Sequence, residues 1–142
     1  MTAKSFVDTN VLVYASIDED AVRSPVARQL LRSLGRDRLV MSTQVLLEYT
    51  NVAIRKFGVK GFGLQQILTV GGLAQIMDTT EEDIYQAVRL TQSAGISIWD
   101  AMIVAAAVKA GCDTLYTEDL NAGQIISGVR IVNPFQPQQE SA

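Results

Sequence analysis

The sequence predicts an α/β fold: a three-layer α/β/α sandwich around a central parallel sheet of about five strands. Short apolar runs alternate along the chain with longer segments whose apolar residues recur at helical spacing. This alternation is typical of parallel strands joined by right-handed helical crossovers, with helices on both faces. The chain has 142 residues and contains no internal repeat or linker-like stretch. We therefore expect a single domain over residues 1–135, followed by a polar tail at 136–142.

Each element has its own local signal. The predicted strands are the apolar runs at residues 6–7, 39–41, 75–77, 114–117 and 129–132. The predicted helices cover residues 10–17, 21–34, 43–57, 64–70, 79–95 and 99–110. Glycines are expected to end several of them, at Gly35, Gly58 and Gly111. Ser42 or Thr43 can cap the third helix, and Thr79 with Glu82 has the spacing of a capping box for the fifth.

Composition excludes several classes of chemistry. The chain has no histidine, which removes Ser-His-Asp and Cys-His nucleophilic sites and histidine-ligated zinc. Its single cysteine, Cys112, cannot form an intrachain disulfide or a multi-cysteine zinc site, and we interpret it as a buried core residue. Any chemistry must use carboxylates, hydroxyls, lysine or a bound metal.

Charge and hydropathy indicate the environment. No stretch approaches the ~20 apolar residues of a membrane span, and the N-terminus lacks the apolar core of a secretory signal. We expect a cytoplasmic protein without a membrane partner. The net charge of −3 argues against a broadly basic surface that coats nucleic acid.

The first functional candidate is Asp8, at the carboxyl end of the predicted strand Phe6–Val7. Ligands in open α/β sheets bind just beyond the carboxyl ends of the strands, which would place Asp8 at the mouth of a crevice. Asp8 can equally be a helix N-cap or a turn residue, because Asp, Thr and Asn all favour those positions.

Three further carboxylates are candidates, each with a structural alternative. Glu48 lies at the margin of the apolar stripe of its helix, where it could also reach solvent or pair with an arginine. Asp100 lies in the first turn of the alanine-rich helix, where Ser97 and Asp100 also have capping-box spacing. Asp119 follows the strand at 114–117, where it could also be an ordinary loop aspartate beside a solvated Glu118.

Together these acids predict more than each does alone, because the expected topology brings all four to one rim of the sheet. Two carboxylates ~5 Å apart repel by about 3 kcal/mol at an effective dielectric of ~20. Such a cluster needs a cation or raised pKa values. Without histidine or cysteine ligands, an all-oxygen site suits Mg²⁺ or Mn²⁺.

Four segments carry a family resemblance. They are Phe6-Val7-Asp8-Thr9-Asn10, Glu48 after Ser42-Thr43, Ile98-Trp99-Asp100-Ala101-Met102, and Leu115-Tyr116-Thr117-Glu118-Asp119-Leu120. In order and interval they resemble the four acidic motifs of PIN domains, and the chain is most similar to the VapC-type toxin ribonucleases of toxin–antitoxin systems. The resemblance covers nearly the whole chain.

The resemblance implies a Mg²⁺-dependent endoribonuclease, usually a homodimer that is held inactive by an antitoxin. It implies that Asp8, Glu48, Asp100 and Asp119 are both the catalytic and the metal-binding residues. On this hypothesis Asp8 and Asp100 ligate the principal ion, and Glu48 and Asp119 complete its shell through water or hold a second ion. Whether Glu118 replaces or assists Asp119 stays open.

Other residues have weaker assignments. Thr9, Asn10 and Thr117 could position carboxylates or phosphate oxygens, or act as caps and turn residues. Setting the four acids aside leaves 11 acidic against 12 basic residues, so RNA approach is not excluded. The following arginines could face phosphate or form solvated helix surface: Arg23, Arg28, Arg32, Arg36 and Arg38.

The glycine-rich middle of the chain contains a small apolar face formed by Leu64, Ile67 and Leu68. This face could contact an antitoxin or a second copy of the chain, or simply pack in the core.

Two other functions remain open. The first is a non-catalytic module whose acidic pocket holds a metal ion or a basic peptide. The second is a receiver-like or phosphatase domain with Asp8 as a covalent nucleophile. The phosphatase pattern of the haloacid-dehalogenase type places a second aspartate two residues later, and this chain has Asn10 there.

Overall fold

The computed structural model describes residues 3–136, and within that range the chain forms six strands and six helices. The strands are β1 (Ser5–Val7), β2 (Leu39–Ser42), β3 (Gln75–Met77), β4 (Thr114–Tyr116), β5 (Ile125–Ile126) and β6 (Val129–Val132). The helices are α1 (Thr9–Ser16), α2 (Arg23–Arg38), α3 (Thr43–Gly61), α4 (Leu64–Gly71), α5 (Glu81–Ala94) and α6 (Ile98–Lys109). The predicted tail falls outside the described residues except for its first residue.

The strands form one sheet in the order β3-β2-β1-β4-β6-β5, with helices on both sides. The neighbours from β3 to β6 are paired in parallel, which confirms the predicted fold class. The sheet has six strands because β5 adds to the edge, antiparallel to β6. The sequence gives little signal for β5, since it has two residues and is joined to β6 by the turn Ser127-Gly128.

The core lies against the central strands. All three residues of β1 are buried, and Val40 of β2, Leu115 of β4 and Ile131 of β6 are at most 1% exposed. On α6, seven consecutive residues from Ala101 to Ala107 are buried. The small side chains of this helix allow it to lie close to the sheet, as the alanine-rich sequence predicts.

Two glycines interrupt the helices where the sequence predicts a break. Gly35 in α2 and Gly58 in α3 have φ angles of 65° and 74°, which side chains with a Cβ adopt only with strain. The chain then makes another helical turn after each glycine, so α2 extends to Arg38 and α3 to Gly61. The third helix begins as predicted, because Ser42 Oγ accepts a hydrogen bond from Val45 N.

The predicted capping box at Thr79 and Glu82 is wrong by one residue. The cap of α5 is Thr80, whose hydroxyl accepts from Asp83 N while Asp83 Oδ2 accepts from Thr80 N. Thr79 instead pairs with the start of α3: its amide donates to Thr43 Oγ1 and its hydroxyl accepts from Gln44 N. Both threonines have acceptable spacing, so the tertiary contact with α3 decides between them.

Cys112 is buried, as predicted, and burial raises the pKa of its thiol to about 11. Within residues 3–136, no single helix has the length and apolar character to cross a membrane. Only α5 and α6 taken together satisfy that test, and they meet at a bend of 113°.

The sheet topology decides where loops can meet. β1 lies between β2 and β4, and Val7 is in register with Tyr116. The segments that follow β1 and β4 therefore leave the sheet side by side at the same edge. Asp8 follows β1, and Thr117 to Asp119 follow β4.

The corrected cap of α5 gives a stability prediction. Thr80→Ala removes the hydroxyl that satisfies Asp83 N and should lower the free energy of unfolding by about 1 kcal/mol. Urea denaturation measures this change. Thr80→Ser keeps the hydroxyl and should stay within a few tenths of a kcal/mol of the parent; equal losses in both variants would contradict the assignment.

Candidate functional site

A cleft of about 320 Å³ opens at the sheet edge where β1 and β4 end. Its lining contains the four predicted acids together with polar and apolar neighbours: Asp8, Thr9, Asn10, Glu48, Asn51, Val52, Trp99, Asp100, Ile103 and Asp119. The acids come from four separate parts of the chain. The structure therefore brings all four sequence-predicted carboxylates to one cleft.

Asp8 is the most deeply placed of the four, with 7% of its surface exposed. It is the N-cap of α1, and its Oδ1 accepts from Thr9 N at 2.6 Å. Its Oδ2 accepts from Thr117 Oγ1 at 2.8 Å. The capping role and the cleft position are thus compatible, since one carboxylate can serve both.

Thr117 connects the loops after β1 and β4. Its buried hydroxyl donates to Asp8 and accepts from Asp119 N at 3.1 Å. The side chain of Asp119 is held in turn by Asn10, whose Nδ2 donates to Asp119 Oδ2 at 3.0 Å. Thr117 and Asn10 therefore position carboxylates, one of the two roles that the sequence left open.

Glu48 and Asp100 reach the cleft from two helices, α3 and α6. Glu48 lies on α3, where Gln44 Nε2 donates to its Oε1 at 2.8 Å. Asp100 lies in the first turn of α6, and its backbone amide donates to Ser97 Oγ at 3.1 Å. Helix geometry places each acid on the cleft side, and neither is paired with a basic side chain among the described residues.

Glu118 is held outside the cleft by a group of side chains from α1 and α2. Its Oε1 accepts from Tyr14 Oη at 2.6 Å, and its Oε2 forms an ion pair with Arg23 Nε at 3.1 Å. The Arg23 guanidinium also lies over the rings of Tyr14 and Phe135. In this arrangement Asp119 lines the cleft and Glu118 anchors the same loop from behind.

The electrostatics of the cleft oppose full ionisation. Burial raises the pKa of Asp8 to about 6, against the hydrogen bonds from Thr117 and Thr9, and the charges of Asp119 and Glu48 raise it further. Burial also raises the pKa of Asp119, with added repulsion from Asp100 and Glu118. No lysine or arginine lines the described cleft, so these charges lack a cationic partner.

The residues present fit a hard divalent cation. The polar groups are carboxylate, amide and hydroxyl oxygens, the donors that Mg²⁺ prefers. Thr9 Oγ1 is buried and has no hydrogen-bond partner among the described residues. Within residues 3–136, no three acidic or cysteine side chains are already grouped to enclose an ion. A bound ion would thus keep water ligands, as Mg²⁺ commonly does.

Four lining residues were not identified as site residues from the sequence, namely Asn51, Val52, Trp99 and Ile103, and helical spacing offered a signal for Asn51. Asn51 follows Glu48 by three positions on one helix, and residues at that spacing share a face. Trp99 directly precedes Asp100 and is 69% exposed.

The arginines considered as a phosphate-facing patch have other contacts. Arg23 pairs with Asp20 and Glu118, and Arg28 pairs with Asp18. The first arginines of α2 therefore form a solvated helix face with local acidic partners, which is the alternative that the sequence offered.

Comparison with known proteins identifies a family for most of the chain. The PIN domain profile matches residues 5–125. A search of curated protein sequences finds no match.

Similar solved structures cover nearly the whole chain. A toxin–antitoxin complex from Klebsiella pneumoniae superposes with a TM-score of 0.70 at 21% identity, covering 92% of this chain and 98% of that one. VapC20 of Mycobacterium tuberculosis, a toxin that cleaves the sarcin-ricin loop, gives 0.67 at 22% identity, covering 82% and 90%. DNA-bound VapBC from Salmonella typhimurium gives 0.61 at 18%, covering 92% and 97%. At these identities the likeness concerns the fold.

The raised pKa of Asp8 predicts a pH-dependent effect on stability in the absence of divalent metal. Between pH ~4 and ~6 the unfolded chain ionises Asp8 while the folded chain keeps it protonated, so rising pH removes stability. Above pH 6 the accumulated loss is about 3 kcal/mol at most. With chelator present, Asp8→Asn should therefore be more stable than the parent at pH 7.5, by about 1–3 kcal/mol, and similar to it at pH 4.

Urea denaturation at both pH values measures this difference. Asp113→Asn is the matched control, because Asp113 is an exposed aspartate at the opposite end of β4. It should show no pH-dependent gain. An Asp8→Asn protein that is less stable than the parent at pH 7.5 would contradict the analysis.

Proposed function

Because this chain belongs to the PIN domain family, we propose that it is a Mg²⁺-dependent endoribonuclease, the toxin of a type II toxin–antitoxin system. The observation that carries the proposal is the gathering of Asp8, Glu48, Asp100 and Asp119 in one cleft that no basic side chain of residues 3–136 lines. The likeness to a toxin–antitoxin complex and to an RNA-cleaving toxin supports it. The cytoplasm, where RNA is available, is the proposed location.

In the proposed site, Asp8 and Asp100 would hold the principal Mg²⁺, or Mn²⁺ in its place. Glu48 and Asp119 would act through water or toward a second ion. When bound, the metal supplies a water of lowered pKa and positive charge beside the phosphate. Ionised Asp8 offers this metal two oxygens whose directions are already set by Thr9 N and Thr117 Oγ1.

The other cleft residues would orient the reactants. Thr117 and Asn10 hold Asp119 in place through its backbone amide and its carboxylate. Thr9 Oγ1 has no partner among the described residues and is free to donate to a phosphate oxygen or a water. Proton release from Asp8 above its pKa of about 6 favours cation binding near neutral pH.

Cleavage of RNA with unpaired loops tests the activity. The parent should cut it with Mg²⁺ and not with chelator. Asp8→Asn and Asp100→Asn should each lower the rate by more than about 100-fold, because even the loss of an outer-shell partner costs 10- to 100-fold. Asp113→Asn should cleave like the parent.

The alternative functions give different results in the same preparation. A binding module would gain thermal stability with Mg²⁺ while neither parent nor variants cleave RNA. A covalent phosphatase would carry acid-labile phosphate on Asp8. Cleavage that persists in chelator or in Asp8→Asn would overturn the proposed site.

For partners, we propose an antitoxin and a second copy of the chain. On α4, Leu64 and Leu68 are 72% and 62% exposed, while Ile67 packs against the core. Nearby, an apolar cleft of about 250 Å³ reaches Tyr49 and Leu73. An amphipathic helix of an antitoxin could place its apolar side chains on such a surface.

The antitoxin proposal can be tested with the product of a neighbouring small reading frame. Co-purification should give a stable complex that suppresses RNA cleavage, and Leu68→Arg should weaken it by at least tenfold. Leu47→Arg, which adds the same charge at an exposed leucine of α3, should not. Light scattering of each preparation measures whether the chain is a dimer.

A further inference from the structure

Trp99 is highly exposed: 69% of its surface is accessible to solvent, against 52% for Tyr85. Its neighbours on α6 behave differently: Ala101 and Met102 are buried in a small apolar cluster that includes Ile98 at its edge. A tryptophan ring can bury 150–250 Å² of largely apolar surface. At roughly 25 cal/mol per Å², leaving it in water forgoes several kcal/mol.

The position of Trp99 indicates which kind of ligand would cover its exposed side chain. Trp99 is one of the residues that line the acidic cleft, together with Asp100, Asp8 and Asn51. The described cleft carries carboxylates and no basic residue, so no lysine or arginine there can contact a phosphate. An RNA chain held there needs a favourable contact of another kind, and stacking of a base on an aromatic ring provides one that does not depend on charge.

Resting on the proposed ribonuclease function, we propose that Trp99 is a stacking platform for one unpaired nucleobase next to the phosphate in the acidic cleft. A base inside a duplex has both faces covered by its neighbours and cannot stack on a protein ring unless it is extruded. The platform therefore selects single-stranded or looped RNA. It tolerates different bases, because every base has a π-face.

The chain offers a direct probe, because Trp99 is its single tryptophan. Titrating Asp8→Asn protein in Mg²⁺ with an unpaired oligoribonucleotide should change the intrinsic tryptophan fluorescence. The same strand annealed into a duplex should give little change. Anisotropy of a labelled oligoribonucleotide measures the affinity independently of the ring.

In the same background, Trp99→Ala should weaken binding of the unpaired strand by about 5- to 150-fold, the range for loss of one stacked base. Trp99→Phe should recover most of the affinity. Phe57→Ala is the matched control, since Phe57 is an exposed aromatic residue of α3 outside the cleft. Because the platform acts without charge, Trp99→Ala should leave the dependence of affinity on salt unchanged.

Four outcomes would overturn the platform. The first is saturable RNA binding without a fluorescence change, and the second is an equal loss of duplex and single-strand affinity in Trp99→Ala. The third is a fluorescence change that depends on protein concentration without RNA, which would assign Trp99 to an interface between copies. If Trp99→Ala binds and cleaves like the parent, the platform fails and the nuclease stands; if the parent cleaves no RNA, the proposed function itself fails.

Discussion

The structure depends on the parallel pairing of β1 with β4, which brings two loops out at one edge, and on the hydrogen bond from Thr117 to Asp8 that joins them there. Like charges placed this close repel, and burial makes ionisation of Asp8 costlier still. The rigid sheet fixes where the two loops begin and so limits how far these charges can move apart. Buried residues of β1 and β4 supply that rigidity.

Three of the four cleft acids accept hydrogen bonds from neighbouring groups. Asp8 is held by a backbone amide and a hydroxyl, Asp119 by the amide of Asn10, and Glu48 by Gln44. Glu118 is removed from the cleft by Tyr14 and Arg23, although it is adjacent to Asp119 in sequence. Among the described residues, the acids of the cleft therefore have no cationic partner, while the neighbouring Glu118 is paired with Arg23. This contrast is what makes a divalent cation the natural complement of the cleft.

The cleft also combines two kinds of surface. A strongly acidic floor suits a metal ion and a phosphate that the metal attracts, and an exposed indole ring suits the flat face of a base. Nucleic acid presents both features within one nucleotide. On the proposed function, this arrangement would let a chain with net charge −3 bind RNA without a broadly basic surface.

The sequence alone was enough to predict the fold class and the meeting of the four acids. Apolar periodicity predicted the fold class and nearly every strand, because alternating strand and helix patterns leave few topologies open. The same topology predicted that Asp8, Glu48, Asp100 and Asp119 would meet, since two follow strands and two lie on helices near strand ends.

The tertiary structure alone decided the finer questions. Local spacing allowed either Thr79 or Thr80 to cap α5, and the contact of Thr79 with α3 selected Thr80. Nothing in the sequence separates Glu118 from Asp119, and the choice was made by Tyr14 and Arg23, about a hundred residues away along the chain. Sequence patterns report which face of an element is apolar, whereas the partner of a polar side chain depends on distances that exist only after the sheet has formed.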